Sequence, residues 1–427
     1  MKFLPLLLIV GTLSAAERLT PIEAKIVQSI DATAVESTVL LEKIVNINSG
    51  TSNVAGVRSV GEVLRPEFEK LGFTVRWIPM DSVHRAGHLV AERKGPHGKR
   101  IMLIGHMDTV FELSSPFQKW NRVSPTAASG PGTSDMKGGL MTMLFALKAM
   151  HRAGALEGAN ITVFLTGDEE NAGEPLTTSR GEFIATGKAS QVAIEFEGGA
   201  RSDGRDFATI DRRSSSHWSL KTTGIEGHSA GIFGDRVGSG AIYEISRILA
   251  AFEAQLKEPD LTFNTGVIVG GSNVKFDENT HTGTAIGKLN IIPSSAYATG
   301  DIRTVTDEQL QRVREKMKKI VAGHLPKTNA EITFEDKYPS MAATEGNVAL
   351  LKVLNGVNLD LNQEAMEPLP PSKRGAGDVS FVAPFVDSIS GFGSLGGGAH
   401  APGETIDLSR QPIQTKRAAL FIYRLTR

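Results

Sequence analysis

The sequence predicts an α/β fold: a mostly parallel sheet covered by helices, interrupted by an inserted α+β domain of ferredoxin-like order. Three observations predict it. Strand and helix patterns alternate up to about residue 213, the order changes between 214 and 335, and the alternation returns at about Asn347. Alternating strands and helices imply parallel strands buried on both faces. The intervening order, strand, helix, two strands, helix, strand, is that of a split βαβ unit. At 427 residues the chain is too long for one ordinary core, so two domains are expected.

The chain opens with Met1-Lys2, an apolar stretch from Phe3 to Leu13 and then Ser14-Ala15-Ala16 before Glu17. That is the pattern of a secretory signal peptide over residues 1–16. A membrane-spanning helix needs roughly 20 apolar residues, and no stretch here provides them; the bland alternative is an exposed or core N-terminal helix. Helical periodicity then covers Ala32 to Ile47 and Gly61 to Leu71, and strands are expected at Thr74 to Ile78 and Gly87 to Arg93. The run from Ile101 to Ile104 reads as a buried strand, followed by a long loop to Asp135 and an apolar helix from Gly138 to about Arg152. Further strands lie at Asn160 to Thr166 and Gln191 to Glu197. In the insertion the expected elements are a strand at Trp218 to Thr223, a helix from Val237 to Leu256, and strands near Leu261 to Val269 and Ala296 to Arg303. A helix at Asp307 to Val321 and a strand at Ala330 to Glu335 complete it. The expected organisation is therefore a catalytic domain of 17–213 and 336–427 holding an insertion of 214–335.

Composition narrows the function. There are no cysteines, which excludes disulfides, thiolate ligands and a nucleophilic cysteine; any metal must sit on oxygen and nitrogen. Lys+Arg of 46 against Asp+Glu of 47 leaves a net charge of -1, so no global field draws in nucleic acid or an anionic membrane.

Potential ligands stand at the ends of successive apolar runs: His106 and Asp108 in GHMDTV, Asp135 in GPGTSDMKGG, Glu169 and Glu170 in TGDEE, and His400 in GGGAH. Ligands of open α/β sheets bind at the carboxyl ends of the strands, and this set points to a metal-dependent hydrolase. Each has a bland alternative. His106 alone would be a hydrogen-bonded core histidine, Asp135 a helix N-cap, and the DEE run a solvated loop. Two adjacent carboxylates repel, however, and a cation relieves them; Asp108 lies where it can orient His106; and a cap does not explain the rigid Gly130-Pro131-Gly132 turn. Glu195 and Glu197 share one face of a strand, where two unpaired carboxylates would be costly. Glu197, beside Gly198-Gly199, is the candidate ligand.

The ordered set GHMDTV, GPGTSDMKGG, TGDEE, FEGG, GHSAG, LNIIP and GGGAH resembles the M20 family of zinc metallopeptidases, and within it the glutamate carboxypeptidases of the carboxypeptidase G type. The resemblance implies two Zn²⁺ per chain, with His106 and Glu197 on one ion, Glu170 and His400 on the other, and Asp135 bridging. It implies Glu169 as general base, Asp108 as the residue orienting His106, and His228 of the insertion as a donor to the oxyanion. Asn290 would bind substrate, and Gly377 and Asp378 match a glycine-rich substrate loop. It also implies that the insertion is a lid and dimerisation domain, so a homodimer through 214–335 is expected. The chain departs from the pattern at Asp336-Lys337-Tyr338, with a lysine where an arginine clamp is expected; Lys337, Arg303 or Arg374 would take the substrate carboxylate, or the substrate differs. Lys337 also reads as a plain solvated charge. Three functions follow: an exported (secreted or periplasmic) dizinc carboxypeptidase acting on peptides or N-acyl amino acids, an N-acyl-amino-acid deacylase or aminoacylase using the same site, or an inactive peptide- or metal-binding protein. Glu169 argues against the last, since a base adds nothing to binding.

Overall fold

The computed structural model describes residues 19–278 and 280–427; the expected signal peptide lies outside them. The chain divides into two compact units. The first comprises the described residues up to Ile210 with Thr344–Leu369 and Phe385–Arg427, the second Asp211–Ala343 with Pro370–Pro384.

The first unit is built on a six-stranded sheet. Its order is Thr74–Met80, Arg85–Arg93, Ala159–Thr166, His97–His106, Val192–Glu195, Asp387–Ile389. The last four strands run parallel and the first two form an antiparallel hairpin at one edge. The parallel register sets His106 beside Thr166 and Ile104 beside Glu195. Three carboxyl ends therefore open onto one edge of the sheet, where loops can converge.

The helices follow from their sequences. Pro21–Val45 starts at a capping box in which Thr20 and Glu23 satisfy each other's backbone N–H groups. Periodicity alone places its start at Ala32; the turns before it bury Ile26 and Ile30 in the core, and the cap at Thr20 fixes where they begin. Val54–Glu69 likewise begins before the expected Gly61, at the Asn53 cap, with Val57 and Val60 already buried. Lys137–Arg152 is buried from Lys137 to Met150, apolar all round as a helix enclosed by neighbours must be. It packs against Pro21–Val45, Gln411–Leu425 and the strand ending at His106. The loop expected between Ile104 and Asp135 contains two short antiparallel strands, Asn121–Ser124 and Ala127–Ser129, and the second pairs with Thr405–Asp407.

The second unit carries an antiparallel sheet ordered Thr262–Phe263, Ser295–Arg303, Ser215–Gly224, Thr328–Tyr338, with Val267–Gly271 also on Ser295–Arg303. Alternation along Ser215–Gly224 buries Ser216, Trp218, Leu220 and Thr222. Helices Ala241–Gln255 and Asp307–Val321 cover that face through Ile245, Ile248, Phe252, Val313 and Met317, with Trp218 edge-on to Phe252 at 5.9 Å. The stretch Leu261 to Val269 forms two strands rather than one. An additional hairpin joins Asn273–Asp277 to Thr282–Ile286.

Candidate metal centre

The parallel strands deliver the first candidate ligands. His106 ends its strand fully buried, at 1% exposure. Its Nε2 stands 3.1 Å from Asp135 Oδ1 and 3.1 Å from Glu197 Oε1. On the far side of the ring, Nδ1 faces the Asp108 backbone carbonyl at 3.1 Å and Asp108 Oδ1 at 3.4 Å. Asp108 is itself fixed. Its Oδ2 accepts from Thr51 Oγ1 at 2.6 Å and from the Glu170 N–H at 3.1 Å, and its Oδ1 accepts from the Glu169 N–H at 3.1 Å. One buried carboxylate therefore orients the histidine and clamps the loop bearing both glutamates.

The second group forms around His400, whose Nε2 lies 3.1 Å from Asp135 Oδ2 and 3.1 Å from Glu170 Oε2. Asp135 thus turns one oxygen toward His106 and the other toward His400. Side-chain donor atoms of His106, Asp135 and Glu197 lie within 4.8 Å of one another, as do those of Asp135, Glu170 and His400 and those of His106, Glu169 and Glu170.

Local backbone chemistry explains the convergence. Gly132 takes φ +79°, and a Cβ there would press on Thr109 and Lys137, so the turn before Asp135 requires glycine. Gly139 lets the helix following Asp135 approach Phe196, whose carbonyl a Cβ would meet at 1.9 Å; this brings Asp135 and Glu197 together. The strand stops at Glu195, so the two glutamates diverge: Glu195 Oε2 accepts from Ser390 Oγ at 2.6 Å, while Glu197 reaches His106.

Charge in the cluster is concentrated. Burial would lower the His106 pKa, but Asp108, Asp135 and Glu197 hold it well above its usual value. The carboxylates of Asp135 and Glu170 push His400 up to about 11. Burial pushes Glu170 up to about 7 despite its contact with His400. Asp135 resists burial and falls below the usual carboxylate range because both histidines face it. Both histidines are pushed toward the charged form by the same crowded carboxylates, an electrostatic surplus of negative charge that a metal cation would offset. Glu170 Oε1 is buried with no hydrogen-bond partner, an orphan that a cation satisfies. A nitrogen and oxygen donor set without thiolate suits zinc.

Several supporting residues escape a sequence reading. Glu404, with no exposed surface, accepts from the N–H groups of Gly132, Ser134 and Asp135. Asp168 and Arg180, both fully buried, pair at 2.7 Å, and Asp168 also accepts from the Gly173 N–H, bracing the loop after Glu170. Buried Lys137 donates to the carbonyls of Ile44 and Ile47. Only Glu404's position four residues after His400 hints at its part.

The remaining residues singled out in the sequence belong to the second unit. His228 is exposed in a two-residue strand, Gly227–His228, paired with Ile291–Ile292, and the Ser229 N–H donates to the Asn290 carbonyl, so His228 and Asn290 sit on facing segments. His228 Nδ1 accepts from the Ala230 N–H at 3.1 Å, which places the ring proton of a neutral imidazole on Nε2. Lys337 pairs with Glu335 at 2.6 Å and Arg303 with Asp301 at 3.0 Å. Asp378, 2% exposed, opens a short helix after Gly377.

An open α/β sheet whose carboxyl edge gathers a buried histidine, an exposed one and several carboxylates around one shared aspartate defines a metal-dependent hydrolase. Residues 102–424 match the model of peptidase family M20/M25/M40; the chain belongs to that family of metallopeptidases and amidohydrolases. Carboxypeptidase G2 of Pseudomonas sp. (strain RS-16) is 28% identical over 391 residues, 90% of this chain and 87% of its own. A succinyl-diaminopimelate desuccinylase of Pseudoalteromonas atlantica is 29% identical over 202 residues, 45% of this chain and 50% of its own. Among solved structures, aminopeptidase PepT of Bacillus cereus shares the fold with a TM-score of 0.71 and 16% identity, over 92% of this chain and 99% of its own.

Proposed function

We propose that the protein is an exported dizinc carboxypeptidase that hydrolyses the amide bond next to a C-terminal amino acid, glutamate-carboxypeptidase-like in its choice of substrate. The observation that carries the two-metal reading is the division of Asp135: Oδ1 meets His106 and Oδ2 meets His400, each at 3.1 Å. In this reading His106 and Glu197 hold one ion, Glu170 and His400 the other, and Asp135 both. Zinc ions there supply Lewis acidity toward the scissile carbonyl and make a bound water acidic near neutral pH.

Glu169 takes the proton of the attacking water as the new C–O bond forms, and returns it to the amine nitrogen as the C–N bond breaks. Asp108 keeps His106 in one orientation and one tautomer throughout. Glu169 and Glu170 follow a strand end and are clamped by a single carboxylate, which separates their roles. His228, with its proton on Nε2, is the assigned donor to the oxyanion, where one donor is worth about 3 kcal/mol in the transition state. Asn290, Lys337, Arg303 and the Gly377-Asp378 loop are assigned to substrate. The unit carrying them acts as a lid and pairs two chains into a dimer.

The likeness to carboxypeptidase G2 over most of both chains favours a C-terminal residue as the group released. The likeness to a desuccinylase keeps N-acyl amino acids in view. Export rests on the pattern of residues 1–16; no helix among the described residues is long and apolar enough to cross a membrane. The test is a panel of dipeptides and N-acyl amino acids on zinc-loaded protein, each with a free and an amidated α-carboxylate. Activity confined to the free carboxylates supports the carboxypeptidase. Equal activity on amidated substrates moves the assignment to a deacylase that reads the acyl group.

A further inference from the structure

Asp135 turns one oxygen to each ligand group, yet its loop has no regular structure of its own. What holds it comes from 270 residues away. Glu404 Oε1 accepts from the Ser134 N–H at 2.6 Å, from Ser134 Oγ at 3.1 Å and from the Asp135 N–H at 2.9 Å; Oε2 accepts from the Gly132 N–H at 3.1 Å. The carboxylate is fully buried. The Gly130 N–H donates to the Glu404 backbone carbonyl, and the next residues, Thr405–Asp407, pair in register with Ser129, Ala128 and Ala127. The segment that supplies His400 is thereby zipped along the segment that supplies Asp135.

We infer that Glu404 is the positioning residue for Asp135, and that through it the segment 400–404 sets cation binding at both ligand groups. This rests on the two-metal reading above. Three buried N–H groups converge on one carboxylate, a satisfied arrangement in which loss of the acceptor leaves all three without a partner. An uncharged amide in its place would present an N–H₂ to at least one of them. The loop would then relax, and Asp135 would no longer divide its oxygens between His106 and His400. A residue that merely filled space would affect the fold and leave the ligands alone. The outer partners of metal ligands typically govern about 10–100-fold in metal affinity.

The experiment is zinc titration of metal-free protein by calorimetry, comparing wild type, Glu404→Gln, Glu404→Asp and the control Glu195→Gln. Glu195 is an equally buried glutamate, bonded to Ser390 rather than to the Asp135 loop. Circular dichroism and melting of the metal-free proteins report on folding independently of metal. The expected result is that wild type and Glu195→Gln bind two zinc ions alike. Glu404→Gln loses about 10-fold or more at both sites, while its metal-free form melts with Glu195→Gln. Glu404→Asp, which keeps the charge on a shorter arm, recovers part of the affinity; if Glu404→Gln does not fold, Glu404→Asp carries the comparison, and reduced affinity in it supports the role. Two ions bound as tightly as in wild type by the folded variants overturns the inference and leaves the two-metal reading standing. Wild type binding fewer than two ions overturns both.

Discussion

Glu169 differs from its neighbour in one respect that decides its chemistry. Glu170 faces His400 at 3.1 Å, whereas Glu169 is held by its backbone N–H on Asp108 and has a carboxylate oxygen within 4.8 Å of donor atoms of His106 and Glu170. Glu169→Ala is therefore expected to retain both metals by elemental analysis and to lose turnover by about 10²–10⁴-fold, the share of a general acid–base group. Near-normal turnover would place the base elsewhere. His228→Ala should lower kcat with little change in KM if its Nε2–H meets charge that develops only in the transition state; an unchanged kcat removes it from the mechanism.

Between elements, Asp206, on the strand Arg205–Ala208, ties three arginines of the first unit together. Its Oδ2 meets Arg417 at 2.6 Å and Arg410 at 2.9 Å, and its other oxygen pairs with Arg201. Arg417 is buried on the C-terminal helix Gln411–Leu425. Burial alone would raise the Asp206 pKa, but the arginines lower it. A carboxylate depressed in the folded state stabilises above its unfolded pKa of about 3.9, and that contribution fades as pH falls through the folded value. Asp206→Asn strands a buried guanidinium and should cost about 3 kcal/mol at pH 7. The gap in Tm between variant and wild type should narrow toward pH 3; a gap constant with pH would show that packing rather than charge accounts for it.

At this scale sequence reading works where a side chain's neighbours are close along the chain. The strands ending at His106 and Thr166 show as apolar runs, and the helix Asp307–Val321 shows by its period and its cap. The candidate ligands stand out because carboxylates and histidines at strand ends have few other reasons to be there, and the fold gathers them in space. The short strands Asn121–Ser124 and Ala127–Ser129 do not show, because the partner that makes them strands is Thr405–Asp407. Glu404 reads as an ordinary loop glutamate for the same reason. Likewise Pro370–Pro384 groups with the second unit although nothing in its composition separates it from its flanks.

For the whole molecule, the two units own separate cores, one around Leu103, Leu144 and Phe421 and one around Trp218, Ile248 and Val313, with no residue in common. Calorimetry is expected to resolve two unfolding transitions. Every ligand candidate lies in the first unit, so a chelator should lower one transition and leave the other in place. Free zinc at about 100 times Kd adds about 2.7 kcal/mol to the unit that binds it. A single transition that the chelator lowers as a whole would mean that the units unfold as one.

The position of His400 and Glu404 gives the protein a history as well as a shape. A ribosome makes His106, Asp135, Glu170 and Glu197 long before it makes the closing segment, with the whole second unit synthesised in between. Until the final stretch of polypeptide arrives, a nascent chain has four of the five candidate ligands and no acceptor for the loop of Asp135. A product truncated before residue 400 is thereby expected to lack His400 and the Glu404 acceptor together, and with them the second candidate ligand group.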